Sequence, residues 1–243
     1  MSQEDAREQA RAWLRDSGRL AVLTGAGISA ESGVPVFRGA AGLWNSFRPE
    51  DLGTPSAFAR DPHLVWRWYD WRRGLIAAAE PNPGHRALVE LERKHRQLTL
   101  ITQNVDGLHQ RAGSEAVLEV HGSIWKLRCT GCARVWVDRT VPLPIPPRCE
   151  CGSLARPGVV WFGESLPPQI WAAAEHATEA CDVFLVVGTS AVVYPAAGLV
   201  PLARSAGARI IEINIEETAM SGAVDCKLTG PAGDILPQLL ELN

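Results

Sequence analysis

The side chains able to do chemistry fall into a few tight groups. Cys129, Cys132, Cys149 and Cys151 lie within 23 positions, as CTGC and CEC, while Cys181 and Cys226 stand alone. Four thiolates spaced this way can close a tetrahedral Zn²⁺ shell with no position left for water, which makes the metal structural. Two disulfides are the alternative, and the single residue inside CEC, where two are usual, is a departure from the common knuckle. A second group is TQNVDGLH, where Gln103, Asn104 and Asp106 crowd four positions. Polar side chains this dense after an apolar run serve a ligand, or else a turn and helix cap. His121, in LEVHGSIWKLRC, has a glycine beside it that allows close approach of a substrate. An imidazole titrates near neutral pH and suits a general base, although a lone histidine is more often structural than catalytic.

The glycines of LTGAGISAESGVPVFRG, Leu23 to Gly39, follow an apolar run. Gly25 and Gly27 can bring backbone amides close to a pyrophosphate, with a helix N-terminus adding a favourable dipole; a plain strand-to-helix turn is the other reading. Ala30 stands where a dinucleotide fingerprint has its third glycine. No strand ending in an acidic residue follows about 20 positions on, as a dehydrogenase requires. No Gly-Lys-Ser/Thr follows either, so a P-loop is excluded.

The elements that must hold these groups are legible as apolar, β-branched runs: residues 19–25, 98–104, 183–190 and 208–215. Each ends in small or polar residues, which is where ligand loops sit at the carboxyl edge of a parallel sheet. GTS (188–190) and NIE (214–216) repeat the pattern, so four edges point at one crevice. Helical stretches alternate with them: a first helix stopped by Gly18, then HRALVELERKH, PPQIWAAAEHATEA and GDILPQLLEL. The expected fold is α/β, a doubly wound parallel Rossmann-like sheet with a smaller zinc-binding and helical module inserted. Residues 1–39, 83–122 and 161–243 form the large domain; 40–82, a loop and a tryptophan-rich helix, and 123–160, with the cysteines, form the small one.

The 243 residues are 46% apolar, enough for a sizeable core, and the net charge of -3 gives no global field for nucleic acid or anionic membrane. The first residues mix acidic and basic side chains, unlike a signal or transit peptide, and no run approaches a membrane span. A cytoplasmic monomer with no membrane partner and no specific nucleic-acid partner is expected.

Taken in order, GAGISAESGVPVFRG, TQNVDGLH, HG, the cysteine pairs, VVWFGE, GTS and NIE resemble the sirtuin family, over roughly residues 19–235. That resemblance implies an enzyme that consumes NAD, moving the acyl group of a modified lysine onto ADP-ribose and releasing nicotinamide. It implies one structural zinc. Gly25, Ala26 and Gly27 would approach the pyrophosphate, with Phe37 and Arg38 covering the cofactor. Gln103, Asn104 and Asp106 would surround the nicotinamide ribose and carboxamide. Gly188 and Ser190 would meet the phosphate and ribose, and Asn214 the adenosine ribose; Glu31, Trp44, Thr189, Glu216 and Ala232 complete the expected cofactor contacts. The acyl oxygen would attack the ribose C1′, and His121 would then act as base on a ribose hydroxyl. The acyl-lysine peptide or protein would lie as an added strand along Val159 to Glu164, touching Val160, Trp161, Phe162, Gly163 and Glu164.

Tyr69 and Arg72, in WRWYDWRRG, are three apart and share one helix face. Their plain reading is a core phenol and an arginine paired with a surface carboxylate. The Tyr-x-x-Arg spacing, however, resembles the class III sirtuins, which remove succinyl and malonyl groups, and a guanidinium with a phenol can bind such a carboxylate. A plain deacetylase, a mono-ADP-ribosyltransferase on the same fold, a NAD-binding regulator without turnover and a zinc-ribbon nucleic-acid module are the competing classes.

Overall fold

The computed structural model describes residues 2–37, 42–95 and 97–241, apart from the Trp44 side chain. The expectations for Arg38 and for the Trp44 side chain therefore lie outside the described residues.

Among these, strands β1 (Leu20–Thr24), β2 (Leu98–Thr102), β3 (Val117–Glu119), β7 (Val183–Val187), β8 (Arg209–Asn214) and β9 (Cys226–Thr229) form one sheet in the order β3-β2-β1-β7-β8-β9. Every neighbouring pair is parallel. The four apolar runs read from the sequence are the four central strands. Burial on both faces makes them continuously apolar, as in β1 and β7, where every residue is buried. The order reverses between β1 and β7, and a crevice opens at such a switch point beyond the carboxyl ends of the strands.

The sheet's two faces pack against separate apolar layers. One holds α1 (Gln3–Asp16), α6 (Pro83–Lys94) and α10 (Ala232–Leu239), through Leu14, Leu88, Leu91 and Leu236; the other holds α8 (Pro168–Ala180) and α9 (Leu199–Ser205), through Ala174, Leu199 and Val200. The helix starts follow local chemistry. Ser2 and Asp5 form a capping box on α1, and the Asn82 side chain accepts from the amides of Gly84 and His85 to start α6, with Pro83 at its first position.

Between the glycine turn and α6, the chain forms α3 (Pro49–Leu52), α4 (Pro55–Arg60) and α5 (Pro62–Ala78). A three-stranded antiparallel sheet, β5-β4-β6, is made of β4 (Gly122–Cys129), β5 (Val135–Val137) and β6 (Ala155–Val159). These helices and this sheet share one apolar core, in which Trp66, Trp68, Phe58 and Ile76 meet Trp125, Leu127, Leu143 and Trp161. Two adjacent arginines of α5 divide here. Arg73 is fully buried and donates to the carbonyls of Ile124 (2.9 Å), Asp138 (2.7 Å) and Thr140 (3.0 Å), tying α5 to β4 and to the chain after β5. Arg72 has other surroundings.

Candidate active site

Beyond the carboxyl edge of the large sheet lies a crevice of about 1000 Å³, with the glycine turn and the loops after β2, β7 and β8 on one side and α5 with residues 159–164 on the other. Of the residues singled out in the sequence, it brings together Gly25, Ala26, Gly27, Glu31, Phe37, Tyr69, Arg72, Gln103, Asn104 and His121. Val160 to Glu164, Gly188 to Ser190, Asn214, Glu216 and Ala232 line it as well.

The glycine turn is built differently from the sequence expectation. The Gly25 amide donates to Val187 O (3.0 Å) and the Gly27 amide to Gly188 O (2.8 Å), so neither faces the crevice as an open donor. A Cβ on Gly27 would sit 2.7 Å from Gly188 Cα, and one on Gly25 2.7 Å from Thr189 Cβ. The glycines are there because two loops meet backbone to backbone. The Ala26 amide has no acceptor among the described residues. The helix that follows, α2 (Gly27–Ala30), is a single turn, so its dipole is small.

The polar edge after β2 splits by depth. Gln103 Nε2 donates to Thr189 Oγ1 (2.8 Å), bridging the loops across the switch point. Asn104 Nδ2 donates to Gly25 O (3.0 Å) and Ser29 Oγ (3.2 Å). Asp106 lies behind them: its carboxylate accepts from Ser29 Oγ (2.8 Å) and, at the start of α7 (Leu108–Ala112), from the Leu108 amide (2.9 Å). Burial pushes its carboxyl above the usual range. Asp106 thus performs the turn-and-cap duty that the sequence left open, while Gln103 and Asn104 line the crevice. Glu31 accepts from the Gly233 amide (2.7 Å) in the first turn of α10, where a carboxylate suits the exposed N–H groups. Asn214 Nδ2 holds Thr189 O at 2.9 Å.

His121 is half-buried on the turn that enters β4. Its Nδ1 lies 3.1 Å from Gln103 O, and a carbonyl can only accept, so the proton resides on Nδ1 and the Nε2 lone pair is left as the base. Burial lowers its pKa from the ordinary value, opposed by that hydrogen bond. The imidazole is neutral and poised to take a proton.

On the far wall, Tyr69 and Arg72 are both buried. The Tyr69 hydroxyl accepts from Trp161 Nε1 (2.9 Å), and burial raises its pKa to about 12, so the phenol stays protonated with its own O–H free to donate. The Arg72 guanidinium lies 4.4 Å from the Phe37 ring centroid and 5.1 Å from that of Trp68. Among the described residues it has no hydrogen-bond acceptor and no carboxylate within ion-pair distance, the buried Asp106 acting on it only from further off, so the surface ion pair allowed by the sequence does not form. Residues 159–164 are clamped from below: the Arg156 fork grips Glu164 at 2.6 and 2.8 Å and stacks 3.5 Å from the Trp161 ring. The amides of Val160, Trp161 and Phe162 already donate, to His121 O, Glu164 and Gly53 O. Gly163, at φ +85°, keeps an amide without an acceptor among the described residues. An added strand would therefore find fewer open amides here than the sequence reading supposed.

The four clustered cysteines are free thiols with all four Sγ atoms within 4.8 Å of one another. Cys129 and Cys151 are 3.5 Å apart and Cys132 and Cys149 3.7 Å, close to the roughly 3.8 Å that a tetrahedron of 2.3 Å Zn–S bonds requires. The amides of Gly131 and Cys132 donate to Cys129 Sγ at 3.3 Å each, which favours the thiolate. The set fits one structural zinc, and the disulfide alternative falls.

Buried polar residues beneath the crevice escaped the sequence reading. His109 Nε2 lies 2.9 Å from Thr24 Oγ1, and His85 Nε2 3.4 Å from Ser29 Oγ. Burial lowers the pKa of both rings, His85 to about 4. Glu212, 1% exposed in β8, is a third case; a lone carboxylate amid the isoleucines of a buried strand was the signal that could have found it.

A model of the Sir2 family matches residues 25–195. The chain is 56% identical over 230 residues to NAD-dependent protein deacylase 2 of Pyrobaculum aerophilum, covering 94% of this chain and 92% of that protein. It is 58% identical over 208 residues to an NAD-dependent protein deacylase of Aquifex aeolicus, with 85% and 87% covered. A solved Sir2 homologue in complex with NAD superposes with a TM-score of 0.91 at 49% identity, covering 96% of this chain and 92% of the other.

Proposed function

The chain belongs to the Sir2 family and is by that kinship an NAD-dependent protein deacylase; we propose that it removes acidic acyl groups, succinyl or malonyl, from lysine in preference to acetyl. The observation that carries this reading is Arg72: a buried guanidinium on the crevice wall with no acceptor of its own, beside a protonated phenol. A buried unpaired cation costs several kcal/mol, and an acyl carboxylate is a partner of the right charge and shape. Acetyl-lysine supplies none, so its turnover is expected to be slower, not absent.

NAD supplies a ribose C1′ that accepts the acyl oxygen as nicotinamide leaves. In this reading the Ala26 amide and the loop at Gly188 to Ser190 hold its phosphates. Gln103 and Asn104 hold the nicotinamide end, and Asn214, Glu216 and Ala232 the adenosine end. His121 Nε2 takes the proton from a ribose hydroxyl, its tautomer fixed by Gln103 O. The peptide enters between residues 160–164 and the loop after β7, where Phe162, Val192 and Tyr194 are exposed apolar side chains. With few open amides, the backbone contributes through Gly163, and the acyl end supplies much of the selectivity. Residues 40–82 and 123–160 act as one small domain against the large one, and the enzyme works as a cytoplasmic monomer.

The test is a panel of acetyl-, malonyl-, succinyl- and glutaryl-lysine peptides with and without NAD, scored by nicotinamide release and product mass. O-acyl-ADP-ribose as the product, with higher kcat/KM for the acidic acyl groups, supports the reading. ADP-ribosylated protein would place the chain among the transferases, and equal or greater acetyl turnover would make it a plain deacetylase.

A further inference from the structure

Glu212 lies in β8, two residues before Asn214 and on the same face of the strand, because strand side chains alternate. It is 1% exposed, and no cation among the described residues lies within ion-pair distance. Its two oxygens each take one hydroxyl: Oε1 accepts from Thr218 Oγ1 and Oε2 from Ser221 Oγ, both at 2.5 Å. Each hydroxyl in turn accepts a backbone amide, Met220 to Thr218 Oγ1 (3.2 Å) and Thr218 to Ser221 Oγ (2.9 Å).

These bonds hold the middle of the chain segment after β8. Ile215, Glu216, Glu217 and Ala219 are exposed, and apart from a single turn at Ser221–Ala223 the segment has no regular structure. Its other side-chain ties among the described residues lie towards its ends, as with Ile215 N on Asn214 Oδ1, Arg204 on Ala223 O and the packing of Met220 and Val224, or are exposed. The exposed tie is the Glu217–Lys227 ion pair (2.9 Å), with Glu217 85% exposed, and such pairs contribute little. Yet Ile215 to Ala219 line the crevice. A desolvated carboxylate with no counter-charge is expensive and is kept where its hydrogen bonds fix something. Here they fix the loop that walls the crevice beyond Asn214.

We propose that Glu212 is a positioning residue for the adenosine half of NAD, holding residues 215–219 in their binding shape through Thr218 and Ser221. The inference rests on the reading that places adenosine at this end of the crevice. Glu212 itself touches no part of the cofactor.

The test compares ADP-ribose binding by calorimetry with steady-state kinetics. Because Glu212→Leu could fail to fold, the central variant is Thr218→Val/Ser221→Ala, which changes no strand residue. It leaves the Glu212 carboxylate without its two donors, so its folding is checked by a melting curve and binding is read only from folded protein. It should weaken ADP-ribose binding and raise KM for NAD by about tenfold each, with kcat at saturating NAD and KM for the peptide within about threefold. Glu212→Gln, whose amide can accept from one hydroxyl and donate to the other, should retain most of the affinity. In the background of the double variant, a folded Glu212→Ala should add little, since residues acting as a unit are non-additive. ADP-ribose affinity within twofold of wild type in the folded double variant overturns the proposal, as does an equal loss of kcat and both KM terms. If an Asn214→Ala control also leaves ADP-ribose binding unchanged, it is the placement of adenosine that has failed; if that control weakens binding and the double variant does not, only Glu212's role has.

Discussion

Arg72 and Arg73 are neighbours in sequence and both buried, yet only Arg73 sets its terminal Nη1 and Nη2 groups on carbonyls, its Nε alone having no partner among the described residues. A buried guanidinium without a hydrogen-bonded anion penalises the folded state by several kcal/mol, and the rings of Phe37 and Trp68, about 1–2 kcal/mol each at most, and the more distant Asp106 carboxylate return only part of it. Arg72→Met keeps the length and the apolar stem while removing the charge. Its melting temperature should equal or exceed that of wild type, whereas Arg73→Met, which orphans the buried Ile124 carbonyl and removes two part-buried bonds to Asp138 O and Thr140 O, should lower stability by about 3 kcal/mol. Against succinyl-lysine the order reverses. Each hydrogen bond to a charged group contributes about 1.5–3 kcal/mol, so losing the fork should cost about 2–3 kcal/mol, roughly 30- to 150-fold in kcat/KM, entering mainly through KM.

The companion substitution separates the phenol from the guanidinium. Tyr69 accepts from Trp161 Nε1, so its hydroxyl proton is directed away from the indole, and Tyr69→Phe removes one neutral donor, about 1 kcal/mol or roughly fivefold. The assay is peptide kinetics on matched acetyl and succinyl substrates, with melting curves run in parallel. The succinyl-to-acetyl ratio should collapse in Arg72→Met and fall partly in Tyr69→Phe. Equal loss of both activities in a folded Arg72→Met, or a marked drop in its melting temperature, would mean that Arg72 is a structural residue and that the acidic-acyl reading is wrong.

His121→Ala or His121→Tyr should fold and bind NAD but lose at least about 10²-fold in deacylation, since a positioned general base contributes that much; near-normal turnover would remove His121 from the chemistry. Burial lowers the folded pKa of His121, so the active neutral form is present above that value and lost below it. The acid limb of kcat/KM should therefore fall below about pH 6.5, the ordinary histidine value, and a limb rising above it would contradict the neutral-base assignment. Stability should follow the same sign: His85, depressed to about 4, stays neutral in the fold while the unfolded chain protonates. Unfolding free energy by urea titration should drop by up to about 3 kcal/mol as pH falls from about 6.5 towards 4, with His109 adding in the same direction. Metal analysis of reduced protein should find about one zinc per chain, and chelation or Cys129→Ala should disrupt the β5-β4-β6 sheet and abolish activity indirectly; a zinc-free protein of full activity would refute this.

What the sequence disclosed depended on how local the cause was. The four central strands were legible because burial on both faces leaves an unbroken apolar run, as in Leu20–Thr24 and Val183–Val187. The edge strands were not: Val117–Glu119 is three half-buried residues, and Cys226–Thr229 alternates buried with more exposed positions, so neither carries that signature. Cysteine spacing disclosed the metal cluster, because chelation needs only four thiolates brought close. The glycines marked a wall of the crevice, but their amides are not the open donors expected. Gly25 and Gly27 are needed for contact with the loop at Gly188, a partner more than 160 residues away that no local window contains.

The same limit explains the two arginines of WRRG. Spacing relative to Tyr69 selected Arg72, but it could not show that Arg73 has its own carbonyl partners or that Arg72 has no carboxylate within ion-pair distance, since those facts depend on where the other elements run. Glu212 belongs to this class too: its partners lie only six and nine residues ahead, yet the strand must be buried before its charge means anything. A buried polar atom is informative in proportion to what its surroundings fail to supply. Arg73 sets both terminal nitrogens on carbonyls, with the Asp138 carboxylate 3.6 Å away, and holds the fold, although its Nε has no partner among the described residues. Arg72 has no anion within ion-pair distance, and a substrate bearing a carboxylate at the end of its acyl chain would supply one.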